Sequence, residues 1–425
     1  MSGSSGEPTL KPQLRFFDAV ATGLAAILGA GIFAVIAPAA GIAGPALLIS
    51  LLIAAFVAFC NAISSAQMAA VFPRTGGTYE FGRRLMGEWW GFSAGWMFIT
   101  ANTVGPGVTA LAFGEYVNAI LGAVPARTAA VIAALVMTTI NAVGIRRSVR
   151  ITDVVVVLSV LSLLAFVVIG LPHAKIPLNL TPFAPHGVGS VLSATALLFF
   201  AYTGYSRIAT LVEEVHNPRY TIPRATVAAL GTATALYILV ALTSLGVLGA
   251  VALSRTISPL ETTMMVVGSG VGVAIIVGGA LLTTFNEGLS DLLGVSRVAF
   301  AMSRNSDIPH GFSKLGADQN PWRSVVLVGA ISIIVAAFAP FATAVAISSF
   351  GTLLYYSVAN LSALRMKKEQ RTFPRFLSFA GLIGCLGLAF SLAPYEIGVG
   401  VGILLVGIAY RKARLSITGR KTVAP

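Results

Sequence analysis

From Val154 to Leu171 the chain reads VVVVLSVLSLLAFVVIGL, with neither a charge nor a proline, and comparable apolar runs recur along its length. A helix of about 20 such residues crosses the hydrocarbon core of a bilayer. Charged residues make up only 10% of the 425 positions, whereas a soluble chain uses about 25%. The expected fold class is therefore an all-α polytopic membrane protein. Twelve transmembrane helices are expected, with soft edges, at about 16–39, 45–71, 89–121, 127–144, 151–171, 189–212, 224–250, 266–300, 324–339, 342–364, 376–393 and 396–410.

Charge then orients these spans. With both termini inside, only Arg127, Lys175 and Arg255 of the 28 Lys and Arg fall outside, and Arg207 falls within a span. The rest collect on the cytoplasmic side, including Arg146, Arg147, Arg150 and the run RMKKEQRTFPR from Arg365, which is the positive-inside pattern. The formal charge of +13 thus reads as topology and implies no nucleic acid. Residues 1–15 read as a retained cytoplasmic tail rather than a signal peptide, and 411–425 as a second tail. No soluble domain of any size is left over. The segment VFPRTGGTYEFGRRLMGEWW from Val71 is either an amphipathic stretch along the cytoplasmic interface or a simple loop. Cys60 and Cys385 fall within apolar spans and imply no disulfide framework.

The first span is interrupted. ILGAGIFAVIAPAAGIAGP, Ile27 to Pro45, places Gly29-Ala30-Gly31 at membrane depth, where a broken helix is tolerated only if it lines a protein cavity. Five spans later Ala201-Tyr202-Thr203-Gly204 gives a second weak point. Interrupted helices at corresponding places in two halves point to a transporter's midplane site. An odd number of spans per half inverts the second repeat against the first, giving 16–171 and 172–364 as the two units and 365–410 as two further helices. After the first break the amides of Ala30, Gly31 and Ile32 would carry the positive end of a helix dipole and could hold a carboxylate. The carbonyls of Ile27, Phe200, Ala201 and Thr203 could accept from an ammonium group. Glycines 29, 31 and 204 would allow a ligand close to the backbone. The competing reading makes Gly29 and Gly31 a helix-packing face.

These residues resemble a known family. GAGIF, FFAYTGY, EEVHNPRYTIPRA and GVSRVAFAMSRNSDIP are similar to signatures of the amino acid–polyamine–organocation transporters. So are PRTGGTYEF with GEWWGFSAGW, and FGEYV at the end of the third span, in the right order over about residues 16–365. The resemblance implies a five-plus-five inverted-repeat fold with discontinuous helices 1 and 6 and two extra C-terminal helices. It also implies an amino acid or amine as substrate. By position, the carboxylate would sit on Ala30 and Gly31, the amine on Ile27, Phe200 and Thr203, and Phe200 would be the aromatic outer gate. Ser206 stands where arginine and diamine carriers of the family hold an acid, and Ser159 stands at the lysine position of proton-coupled members. The Ser159 hydroxyl is then either a sodium ligand or merely a bond to its own helix.

Ionisable groups within spans cost about 2.5–3.5 kcal/mol each on insertion scales. Glu287 and Asp291 lie four apart on one face of the eighth span, with Ser290 beside them, and Arg207 lies a turn beyond the second break. They are either ion-coupling groups or a structural ion-pair cluster. Glu115 is an interfacial candidate, and Glu213 and Glu214 belong to the cytoplasmic connection. Enzyme signatures are absent, so no enzyme and no cofactor are expected, only a coupling ion, H+ or Na+. The expected function is secondary transport of a neutral amino acid across the inner membrane, with the lipid bilayer as its surroundings and no obligatory protein partner. A polyamine, amine or cationic amino acid carrier, and a non-transporting amino acid sensor, are the rivals.

Overall fold

Helices stand where the apolar runs stand. The computed structural model of the chain describes residues 15–72, 76–144, 149–205, 215–316 and 320–418. Ser206, Arg207, Glu213 and Glu214 lie outside the described residues. The first apolar run forms α1 (Phe16–Ile27), α2 (Ile36–Ala43) and α3 (Leu47–Val71), followed by α4 (Thr78–Met86), α5 (Glu88–Leu121), α6 (Ala126–Val143) and α7 (Val149–Gly170). Then come α8 (Gly187–Leu198), α9 (Pro218–Leu248), α10 (Pro259–Val267) and α11 (Gly270–Arg304). The chain ends through α12 (Trp322–Phe338), α13 (Phe341–Leu364), α14 (Arg375–Ala389) and α15 (Pro394–Thr418). No strand occurs among the described residues.

Local chemistry sets the ends of several of these helices. Pro218, Pro259 and Pro394 open α9, α10 and α15, where the missing N–H has no intrahelical partner to lose. The Ser269 side chain caps α11 by accepting from the Gly272 amide at 3.0 Å. Between α2 and α3, Gly44 adopts φ 62°, ψ −146°, which a side chain would resist, and Pro45 follows. Two further segments are helical. The segment from Val71 contains a true helix, α4, with Tyr79 and Phe81 buried, rather than a loop. The tail expected from 411 is helical to Thr418, and Arg411 is buried.

Seven described helical stretches are long and apolar enough to cross a bilayer, or eight if α14 and α15, bent by 114°, count as one. The stretch Phe16–Val71 alone holds 56 residues, far more than one crossing of about 20 needs. Trp322–Phe338 falls just short by length. Large apolar side chains face outward along these helices: Val168 is 73% exposed and Phe338 79%. Such a surface would be an aggregation hazard in water and suits lipid contact. With its many apolar helices the protein is a multi-pass membrane protein.

Inside, small residues let the helices approach. The helix α11 packs on α5 and α7, α13 on α5 and α14, and α1 on α9, α7 and α11. At one end of the bundle four charges close a ring. The Arg83 guanidinium meets Asp307 at 3.0 Å and Glu88 at 3.3 Å, and Arg411 meets the same two carboxylates at 2.7 and 3.2 Å. Tyr79 donates to Asp307 at 2.6 Å, and Arg411 lies over the rings of Trp89 and Phe92. Burial opposes the charge on Arg83, but Tyr79, Asp307 and Glu88 outweigh it and push its pKa up. The ring ties α4, α5, α15 and the segment after α11 together.

Candidate functional site

The first span breaks where its sequence weakens. The helix α1 ends at Ile27, Leu28 turns extended at φ −73°, ψ 120°, and a π-helical turn, Gly31–Val35, restarts the chain into α2. The second weak point is not a gap. At Phe199 the α-helix α8 tightens into a 3₁₀ helix that runs to Tyr205 and contains Phe200, Ala201, Tyr202, Thr203 and Gly204. A 3₁₀ turn rises faster per residue and holds its carbonyls in poorer hydrogen-bond geometry, which leaves them open to outside donors.

The two weak stretches lie against each other. A Cβ added at Gly31 would overlap Ala201, and one added at Gly204 would overlap the Ala26 carbonyl. At both positions the absent side chain is what lets the two stretches approach so closely.

The polar groups freed by the breaks are met by side chains from four other helices. The Ala30 amide donates to Glu287 Oε2 of α11 at 2.7 Å, a length typical of a charge-assisted bond. Glu287 is buried, and its carboxyl group fills the space over Gly29, where a Cβ would collide with it. The Ile32 amide is used locally, donating to the Gly29 carbonyl at 3.2 Å. Tyr237 of α9 donates its single hydroxyl hydrogen to both the Ile27 carbonyl, at 2.6 Å, and the Ala201 carbonyl, at 3.0 Å. Tyr116 of α5 donates to Phe33 O at 2.7 Å, and Tyr356 of α13 to Thr203 O at 3.3 Å. The Thr203 hydroxyl donates to Phe200 O at 2.9 Å. Phe200 is buried at 5% exposure.

The protein's own side chains stand on the backbone groups named for a substrate. The amide predicted to hold a substrate carboxylate holds one already, from Glu287. The carbonyls predicted to take an amine carry tyrosine or threonine hydroxyls, each leaving the oxygen a second lone pair. The predicted carboxylate pair divides: Glu287 reaches the first break, while Asp291, half-buried, lies against Gly105 of α5, where an added Cβ would sit 3.3 Å from Asp291 Oδ2. Ser290 is half-buried on the same helix. Ser159 makes the bond to its own helix and also meets a second hydroxyl. It donates to Val155 O of its own helix at 2.7 Å and stands 2.5 Å from the Thr283 hydroxyl of α11. Tyr237, Tyr116 and Tyr356 were missed. The available signal was a phenol within or beside an apolar run, since a buried tyrosine hydroxyl needs a partner.

A cavity of about 250 Å³ adjoins the π-helical turn, reaching Ala34 and lined further by Pro38, Ala112, Glu115, Arg127 and Phe341. Glu115 and Arg127 give it opposite charges, and Arg127 is steadied by the carbonyls of Ala337 and Ala339, at 3.0 and 3.2 Å. The arrangement as a whole offers a backbone amide with an acid on it and a set of carbonyl acceptors, with the cavity meeting the same turn farther along, at Ala34. Among the described residues no group of three or more His, Cys, Asp or Glu is placed to hold a metal ion.

The family model described as amino acid permease matches residues 18–413. An uncharacterized transporter of Mycobacterium tuberculosis is 41% identical over 97% of this chain and 93% of its own. A branched-chain amino acid permease of Bacillus subtilis is 29% identical over 92% of this chain and 88% of its own. A methylthioribose transporter of the same organism is 28% identical over 98% and 97%.

Proposed function

The chain belongs to the amino acid permease family, and on that premise we propose that it carries a neutral, apolar amino acid across the cell membrane by alternating access around the two breaks. The observation that carries the reading is the Ala30 amide with a carboxylate on it, 2.7 Å away, beside the Ile27 and Ala201 carbonyls joined by Tyr237. A zwitterion matches both halves of that arrangement: its carboxylate suits the amide end and its ammonium suits the carbonyls. Ile27, Gly29, Ala30, Gly31, Ile32, Phe200, Ala201, Tyr202, Thr203 and Gly204 form the substrate site in this reading. The relative named for branched-chain amino acids favours an apolar side chain.

The coupling ion is H+ or Na+. Glu287, Asp291, Arg207 and Ser290 are the candidates for proton coupling, and the Ser159 and Thr283 hydroxyls between α7 and α11 for sodium. The same proposal carries twelve crossings, in two inverted halves, 16–171 and 172–364, with two further helices, 365–410, and both termini cytoplasmic. Reporter fusions at each terminus test the topology.

Uptake into proteoliposomes tests the transport. Labelled leucine should accumulate under an imposed proton or sodium gradient, with alanine competing and leucinamide competing poorly. Buried Glu287 favours one rival, an amine carrier in which that carboxylate receives an ammonium group. Equal or better competition by putrescine or arginine would select this rival, and competition by methylthioribose alone would reject both.

A further inference from the structure

We infer that Glu287 is a built-in competitor for the substrate's carboxylate, holding the anion seat of the first break until an amino acid displaces it. The inference rests on the proposed reading that an amino acid carboxylate binds the Ala30 amide. The Ala30 amide donates to Glu287 Oε2 at 2.7 Å, although 257 positions separate the two residues. The place is cut to fit: the Glu287 carboxyl occupies the volume that a Cβ at residue 29 would take, so the glycine there accommodates the protein's own acid. Two carboxylates cannot share one N–H at that distance, because each needs the same donor and like charges so close repel. Entry of a substrate carboxylate and departure of the Glu287 carboxylate from Ala30 are therefore one exchange.

The exchange has a functional logic. A broken helix in lipid with an unmet amide is costly, and Glu287 meets that amide when no substrate does. It also sets specificity by net gain. A ligand with a carboxylate replaces the bond it breaks, whereas an amine or an amide ligand would have to leave Glu287 in place. The carboxylate on Ala30 thus tunes substrate affinity downward, as an occupant that must be displaced, and Glu287 acts as a positioning residue for the empty state.

The test is equilibrium binding of leucine and leucinamide to the purified full-length protein, wild type against Glu287→Gln and Glu287→Asp. A neutral amide accepts from Ala30 more weakly than a carboxylate, so Glu287→Gln should bind leucine roughly tenfold tighter. Leucinamide, which has no carboxylate, should gain nothing. Glu287→Asp keeps the charge but is one methylene shorter, and should show a smaller gain in the same direction. If Glu287→Gln does not fold, the Asp variant decides the sign alone. Weaker or unchanged leucine binding in a folded variant overturns the inference while leaving the proposed substrate class standing, since wild type still binds leucine. Wild-type protein that binds isopentylamine but not leucine, with Glu287→Gln losing that amine, overturns the transport reading and the inference together. Wild type that binds neither does the same.

Discussion

Glu88 and Asp307 at the end of the bundle, and Glu287 at the breaks, are all carboxylates held by hydrogen bonds, yet they are held in different ways. In the ring, Arg83 and Arg411 each contact both acids, so every charge has two counter-charges from the protein. At the breaks the donors and acceptors are backbone groups, met by one carboxylate and by hydroxyls from α5, α9 and α13. The ring can be opened only by separating charges, which is expensive in a buried setting. In the proposed reading the junction exchanges its side-chain partners for groups of a ligand without losing the number of hydrogen bonds. A closed set of partners makes a fastening, and a replaceable set makes a site.

The comparison breaks most severely if the ring is not a fastening. Asp307→Ala removes the acid that meets both arginines and Tyr79, leaving Arg411, only 4% exposed, with Glu88 alone. Losing one partner of a buried pair costs about 3–5 kcal/mol. The expected result is a large fall in melting temperature in detergent, with α15 and α4 the first elements to loosen by hydrogen exchange. A variant that melts with wild type would put the ring among ordinary surface pairs.

At the junction, Gly204→Ala should rank next. Its Cβ has nowhere to go but into the Ala26 carbonyl, and overpacking of this kind costs about 1–3 kcal/mol. Because the two broken helices must part, substrate affinity should fall along with stability, in contrast to Asp307→Ala, where affinity in the surviving folded fraction should hold. Binding measured per folded molecule separates the two.

Tyr237→Phe sharpens the contrast further. It removes one hydroxyl and strands two carbonyls, of Ile27 and Ala201, at an expected cost of about 1–3 kcal/mol for the buried acceptors. If these carbonyls accept a substrate amine, saturating leucine should recover much of the lost thermal stability, more than it stabilises wild type. No extra ligand stabilisation would mean that the hydroxyl only braces the helices.

How much of this was legible follows the same division. The first break was legible because GAGIF and the nearby prolines advertise a helix that cannot continue, and backbone chemistry then names its donors. Glu287 stood out as an acid in an apolar run. That its partner would be Ala30, far away in sequence, depended on how α11 crosses α1, which periodicity does not encode. The ring was illegible for another reason. Arg83, Glu88, Asp307 and Arg411 all lie near span ends, where charges usually face water, and their signs were absorbed into topology. The second break looked like the first on paper, yet FFAYTGY contains no proline and tightens to 3₁₀ rather than opening.

The smallest effect is the control for all of these. Arg84 and Glu80 form an ion pair at 2.7 Å, one turn apart on α4, the helix that also supplies Arg83 to the ring. The geometry is as short as any bond in the ring, and the acid precedes the base, the better order on a helix. What it lacks is closure: the pair has one contact, its guanidinium reaches solvent, and water can take over either charge. Exposed pairs of this kind are worth about 0.3–0.5 kcal/mol and weaken with salt. Arg84→Ala should therefore barely move the melting temperature, with part of any shift due to lost packing of Arg84 over Phe72. Raising the salt should shrink the difference from wild type, while leaving the Asp307→Ala deficit nearly intact. If Arg84→Ala instead costs as much as Asp307→Ala, distance alone governs these charges, and the distinction between closed and replaceable partners fails.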